Sequence, residues 1–346
     1  MTYQAVDAII GLMNKPYIEP FIPNSLMPQW DEQAQVAHER MARANLESLL
    51  QDMPPVKAVE VGGQRLLYVE MPAIEDSENE ALALSLPYAN SWKPHMYLRA
   101  RYLQESAAPD KKLIILPNSG LRDRAYELTK EELAKVEKGD ISPIAERQAR
   151  LLRALTSGRI ALMGYSFGAM DAAVLSKVLK DDTELLALGI FEPTNVMVRT
   201  PKDLQKAFTK SGLSAFKKAV KDAQIPALQE ALRWDRLAAD FIKFGLSTLF
   251  VKENKAIKSG MAANNLSDDL MPVLDEHPGV PTLLASAEHS LITPPEQLYY
   301  HYGRLGNLMS RPNLDMHVVE GYGHEMGDNI VLHGLLGKAV LSRHKK

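Results

Sequence analysis

From residue 56 onward, short apolar runs alternate with longer stretches whose apolar residues recur three or four positions apart. The first two runs, Ala58–Val61 and Leu66–Val69, are rich in β-formers and meet through Gly62-Gly63, which predicts a hairpin. Six more runs follow: Ala81–Leu86, Leu113–Leu116, Ile160–Met163, Leu185–Phe191, Pro281–Ala285 and Met316–Val319. They are nearly continuous in apolar residues, as strands buried on both faces are. Helical spacing fills the gaps to about Glu105, near 127–138, over 142–156, after Gly168 and from about 329 onward. The alternation predicts an α/β protein with a mostly parallel eight-stranded sheet and helices on both faces.

Two segments stand outside that alternation. Over residues 1–55, Pro16, Pro20, Pro23 and Pro28 break up the early part. Asp31–Leu50 then carries Val36, Met41, Ala44, Leu46 and Leu49 at near-helical spacing, which predicts a partly helical extension on the outside of the core. Over 196–279 the strand pattern lapses, and Phe208, Leu213, Phe216, Val220, Leu237 and Phe244 recur at helical intervals. The expected organisation is an extension (1–55), a core (56–195 and 280–346) and a helical insertion (196–279) covering the carboxyl edge of the sheet as a lid.

Composition narrows the classes of function. With 346 residues and 46% hydrophobic content the chain can bury a large core. Its net charge of −3 favours neither nucleic acid nor a membrane surface as a global partner. Thirteen Lys and Arg against six Asp and Glu give residues 199–258 a charge of +7 and leave −10 elsewhere. A solvated helical face accounts for that excess; an anion-guiding lid is the alternative. Cysteine is absent, so a thiolate nucleophile and a sulfur metal site are excluded. The N-terminus lacks the basic start and apolar core of a secretory signal, and no apolar run is long enough for a membrane span. These features predict a soluble, cytoplasmic protein.

The candidate chemistry is concentrated in Gly164-Tyr165-Ser166-Phe167-Gly168, between an apolar run and a helical stretch containing Ala169, Ala172 and Ala173. A serine at a sharp strand-to-helix turn is held in a strained backbone conformation that lifts its hydroxyl clear, and side chains two residues either side would collide with the neighbouring strand and helix. The Phe167 amide, at the start of the helix, is placed to donate to an anion. A serine needs a base within hydrogen-bond reach. His38 and His95 fall on helices, His317 alternates within a strand, and His333 and His344 fall in the terminal helix and tail. His324 sits in the loop Gly321-Tyr322-Gly323-His324 just past the last strand, where an open sheet gathers its functional loops.

The Gly164–Ala169 turn, the Gly321–His324 loop and the series of strands resemble the α/β-hydrolase superfamily over about residues 56–340. The order nucleophile, acid, histidine is that of the superfamily. The resemblance implies the α/β-hydrolase fold with a Ser-His-acid triad. Its acid is expected in the loop after the strand that follows the lid, within Ala287–Glu296. Here the sequence departs, because Ser290 stands where an aspartate is expected. Two carboxylates are candidates in its place. Glu192 ends the preceding strand, a position similar to that used by a branch of the haloalkane dehalogenases; Glu288 lies in the loop itself.

The resemblance also implies a second oxyanion donor in the loop after the third strand, at the Ala89 or Tyr88 amide. That loop has Pro87-Tyr88 where His-Gly is usual, and a different strand numbering would place the donor in Asn118-Ser119-Gly120. Trp92, Met96 and Tyr97 are candidates for a pocket lining or for core. The spacing of histidines and carboxylates suits no metal, no phosphate-binding loop is present, and no cofactor is expected. The expected partner is a small-molecule acyl substrate, cleaved by a carboxylesterase-like serine hydrolase. Carbon–carbon bond hydrolysis, acyl transfer and a non-catalytic binding protein of the same fold stay open. Dehalogenation is disfavoured, because that chemistry uses an aspartate where this chain has Ser166.

Overall fold

A computed structural model of the chain describes residues 31–75, 80–88, 93–116, 126–232, 251–298 and 313–344. Lys57–Val61 (β1) and Gln64–Met71 (β2) form the expected hairpin. Gly62 and Gly63, at φ 58° and 73°, supply the left-handed turn that matches the twist of the strands. Next come Ala81–Ser85 (β3), Lys112–Leu116 (β4), Arg159–Tyr165 (β5), Glu184–Phe191 (β6), Thr282–Ala287 (β7) and Leu314–Val319 (β8). They form one eight-stranded sheet in the order β1-β2-β4-β3-β5-β6-β7-β8. Only the β1–β2 and β2–β4 pairings are antiparallel.

Alternation along the strands divides the core. Ala81 and Ala83 join Ile160 and Leu162 in a cluster on one face, while Leu82 and Leu84 join Ala161 and Met163 on the other. The first face is covered by Ser142–Leu155 (α5), Phe167–Leu179 (α6) and Leu266–Glu276 (α10); the second by Pro94–Ala107 (α3) and Ile330–His344 (α11). Strands buried from both sides have no polar face, which is why they read as unbroken apolar runs. Lys130–Glu137 (α4) starts with a reciprocal capping box between Thr129 and Glu132.

The helix expected over 31–50 is two helices, Glu32–Arg43 (α1) and Leu46–Gln51 (α2). Asp31 caps the first; Asn45 ends its continuation because its side chain accepts the Ser48 amide and starts the second. Met41 is buried as expected, but Val36, expected on the same stripe, is 61% exposed, and Ala34 and Ala37 are buried instead. Residues 1–30 of the extension lie outside the described residues.

Between β6 and β7 the described elements are Pro201–Asp222 (α7), Pro226–Ala231 (α8), Lys252–Ala263 (α9) and α10. They differ in kind. α10 lies in the layer beside the sheet with α6, whereas Phe216 and Val220 of α7, its C-cap Ala223 and Leu228 of α8 form a third cluster with Met41, Leu49 and residues of α3 and α11. Leu237 and Phe244 lie outside the described residues. Among the described residues no helix is long and apolar enough to cross a membrane.

Burial of His333 makes the fold sensitive to acid. Its ring is 1% exposed and packs edge-on against Phe191. Desolvation, then the Arg99 charge, pushes its pKa down to about 3. A histidine depressed in the folded state loses stability as pH falls, because the unfolded chain takes up a proton near pH 6.5 that the folded chain resists. Asp171, pushed up to about 6 by burial, has the opposite sign and loses stability as pH rises. The penalty from His333 should therefore be absent above about pH 6.5 and grow as pH falls towards 3. In His333→Leu, the slope of unfolding free energy against pH, measured by denaturant titration followed by circular dichroism, should fall by about one proton; an unchanged slope would assign acid sensitivity elsewhere.

Candidate active site

The sharp turn between β5 and α6 is set by close packing. Ser166 has φ 59° and ψ −124°, a conformation L-residues rarely adopt, and its amide donates to the Phe191 carbonyl at 3.0 Å. A Cβ on Gly164 would strike the Gly168 backbone, and one on Gly168 would strike the Ser85 carbonyl of β3. The two glycines thus let helix, elbow and β3 approach together. Beneath them the Ser85 hydroxyl donates to the buried Asp171 carboxyl, tying the end of β3 to α6. Phe167 is the first residue of α6, so its amide has no carbonyl one turn back to bond.

His324 opens a short 3-10 helix, His324–Asp328, after the turn at Gly321, whose φ is 73°. Its Nε2 lies 2.9 Å from the Ser166 Oγ, and its Nδ1 lies 2.7 Å from Oε2 of Glu192. Residues 158 and 132 positions apart are thereby joined in one chain of hydrogen bonds. Ser166 and His324 are each 5% exposed, and Glu192 is fully buried. A carboxylate at Nδ1 fixes the tautomer that leaves Nε2 able to accept the serine proton.

Glu192 is held at several points. It too has a left-handed backbone, at φ 52°, and its amide donates to the Ala285 carbonyl at 2.7 Å. Its Oε1 accepts the Ala287 amide, and its Oε2 accepts the Ser290 hydroxyl at 2.6 Å. The Ser290 Oγ in turn accepts the Thr293 amide at 2.9 Å. Ser290, standing where a carboxylate was expected, is thus a hydrogen-bond donor to the carboxylate one strand away. Glu288 is not brought to His324. Its carboxylate accepts the Gly321 amide at 2.9 Å, and its side chain is 47% exposed.

Of the other residues singled out in the sequence, Ala89, Trp92 and Asn118-Ser119-Gly120 lie outside the described residues. Tyr88 is described: its ring centroid is 6.1 Å from that of Phe167, and its hydroxyl donates to the Asn254 carbonyl of α9 at 2.8 Å. Burial pushes the Tyr88 phenol well above its ordinary pKa. Met96 and Tyr97 are core, 2% and 3% exposed. Among the described residues no group of three or more His, Cys, Asp or Glu could hold a metal ion.

Sequence reasoning missed the residues that surround the imidazole. Phe208 of α7 meets the His324 ring edge-on at 5.3 Å, and Tyr165 stacks on it at 5.5 Å. Burial pushes the carboxyls of Glu325 and Asp328 up, Arg99 opposing the shift at Asp328. Tyr165 was visible only as the variable residue of the serine turn, and Phe208 only as one apolar position in a helix.

Comparison with models of known protein families and with curated protein sequences gives no match. Comparison with solved structures gives many. Haloalkane dehalogenase DatA from Agrobacterium tumefaciens C58 is 15% identical, with a TM-score of 0.52 over 86% of this chain and 99% of that one. Haloalkane dehalogenase DbeA from Bradyrhizobium elkani USDA94 is 12% identical, with a TM-score of 0.52 over 84% of this chain and 97% of that one. An esterase from Thermogutta terrifontis is 15% identical, with a TM-score of 0.46 over 80% of this chain and 93% of that one. The chain has the α/β-hydrolase fold.

Proposed function

We propose that this protein is a serine hydrolase that cleaves an ester-like or other acyl substrate of small-molecule size. The observation that carries the reading is the buried relay from the Ser166 Oγ through both nitrogens of His324 to Glu192, at 2.9 and 2.7 Å. In this reading Ser166 attacks the acyl carbon while His324 Nε2 takes its proton. The tetrahedral oxyanion is met by the Phe167 amide at the positive end of α6, with the Ala89 or Tyr88 amide as the expected second donor. Collapse expels the leaving group, which receives the proton from His324 and leaves an acyl ester on Ser166. Water, deprotonated by His324, then releases the acid. Glu192 holds the tautomer throughout and offsets the charge of the imidazolium.

The helical stretch between β6 and β7 acts as a lid in this reading. Support comes from Phe208, which covers one edge of the imidazole, and from Tyr88, which ties the loop after β3 to α9. Excluding bulk water from the ring strengthens its hydrogen bonds.

Fluorophosphonate labelling tests the proposal. The wild-type protein should gain one adduct, located on Ser166 by peptide mass spectrometry, and turn over members of a panel of esters of graded chain length. Labelling without ester turnover would favour acyl transfer or carbon–carbon bond hydrolysis on the same serine. A protein that takes no label at Ser166 would be a non-catalytic bearer of the fold.

A further inference from the structure

The loop that carries His324 is held on both sides of that residue. Before the imidazole residue, Gly321 stands in the left-handed region and donates its amide to the Glu288 carboxylate at 2.9 Å, and the Tyr322 carbonyl accepts the His289 amide at 2.9 Å. From His324 onward the hold comes from the serine turn and α3. The Tyr165 hydroxyl donates to the His324 backbone carbonyl, and the Tyr165 ring stacks on the imidazole with 25° between their planes. Gly327 makes room for that ring, since a Cβ there would run into it. Arg99 of α3 sets its guanidinium carbon 5.2 Å from the centroid of the Tyr165 ring. It also donates to Asp328, the last residue of the turn that His324 begins, at 2.7 Å. Arg99 is 2% exposed, so the brace sits inside the protein where water does not compete for it.

We infer that Tyr165 is a positioning residue: from the place next to the nucleophile it grips the turn of the base by its backbone, with Arg99 as a brace, and so sets the separation of Ser166 from His324. The inference rests on the serine-hydrolase reading. Tyr165 exchanges no proton with the substrate; it acts through the ring and the backbone of His324. Burial raises its phenol well above the ordinary tyrosine pKa, so the donor stays protonated across the neutral range. Holding the two ends of a proton transfer in register matters because a misplacement of about 1 Å can cost about 100-fold in rate.

The test is Tyr165→Phe, which keeps the ring and removes the donor. Turnover of the best ester of the panel should fall about 10- to 100-fold in kcat with KM within about twofold. Amide hydrogen exchange in the peptide spanning 323–329 should quicken, while exchange in α6 stays at the wild-type rate. Asp328→Asn approaches the same turn without touching the elbow and should show the same split; Arg99→Lys, which keeps the ion pair, should retain more kcat than Arg99→Met. A Tyr165→Phe enzyme with kcat within about twofold of wild type, or with unchanged exchange over 323–329, overturns the inference. A loss confined to KM also overturns it, since that marks a substrate contact. Failure of the wild type itself to label or to hydrolyse any ester overturns the serine-hydrolase reading and this role with it, an outcome read before any variant is made.

Discussion

Ser166→Ala and His324→Ala should each lower kcat for ester hydrolysis by about 10⁴- to 10⁶-fold, and the double variant should be no worse than the more damaged single. The reason lies in the 2.9 Å contact between the Ser166 Oγ and His324 Nε2. The hydroxyl is a nucleophile only while its proton has somewhere to go, and the imidazole is a base only while the hydroxyl stands before it. Removing either empties the same step, so the losses coincide instead of multiplying. KM should change little, because neither group is large enough to dominate substrate binding. Single-turnover kinetics with an activated ester measures the effect directly. If Ser166→Ala kept a tenth of wild-type activity the nucleophile would be another residue, and if the two losses multiplied the groups would act separately.

Glu192→Gln should reduce kcat by about 10⁴-fold, the size of effect that follows when the carboxylate orienting a catalytic imidazole becomes an amide and the wrong tautomer is favoured. Glu288→Gln should leave activity within about twofold, because a half-exposed carboxylate accepting one loop amide contributes little. The contrast is sharper than either number, since the two residues lie at the ends of adjacent strands and only one touches the ring. Ser290→Ala should fall between them. It removes one donor to Glu192 Oε2, but the Ala287 amide still holds Oε1. Equal loss in Glu192→Gln and Glu288→Gln would leave the assignment without support. A fully active Glu192→Gln would show that the imidazole needs no negative charge beside it.

How much of this was legible in the chain follows from where each kind of information resides. The strands could be read because a strand covered on both faces has no polar side, so Leu113–Leu116 and Leu185–Phe191 announce themselves as apolar runs. The elbow could be read because close backbone approach admits only glycine, and Gly164 and Gly168 each face a backbone that a Cβ would strike. Turn chemistry of this kind leaves its mark in a few consecutive residues, even where, as at Gly168, the backbone approached belongs to β3. The division of Asp31–Leu50 into two helices was also local. The signal was the capping preference of Asn45, which a count of apolar positions passes over.

The sequence by itself determined the order of strands and helices, the serine turn and the glycine-bounded loop of His324, because each depends on neighbours along the chain. Only the tertiary structure decided which carboxylate meets the imidazole, since in the sequence Glu192 and Glu288 each stand just past an apolar run, and in the fold Glu192 is buried against His324 and Ser290 while Glu288 turns to the Gly321 amide. It alone brought Arg99 to Asp328, 229 residues away, and placed Phe208 and Tyr165 against the same ring. Contacts across such spans are fixed by packing, and packing is a property of the whole folded chain.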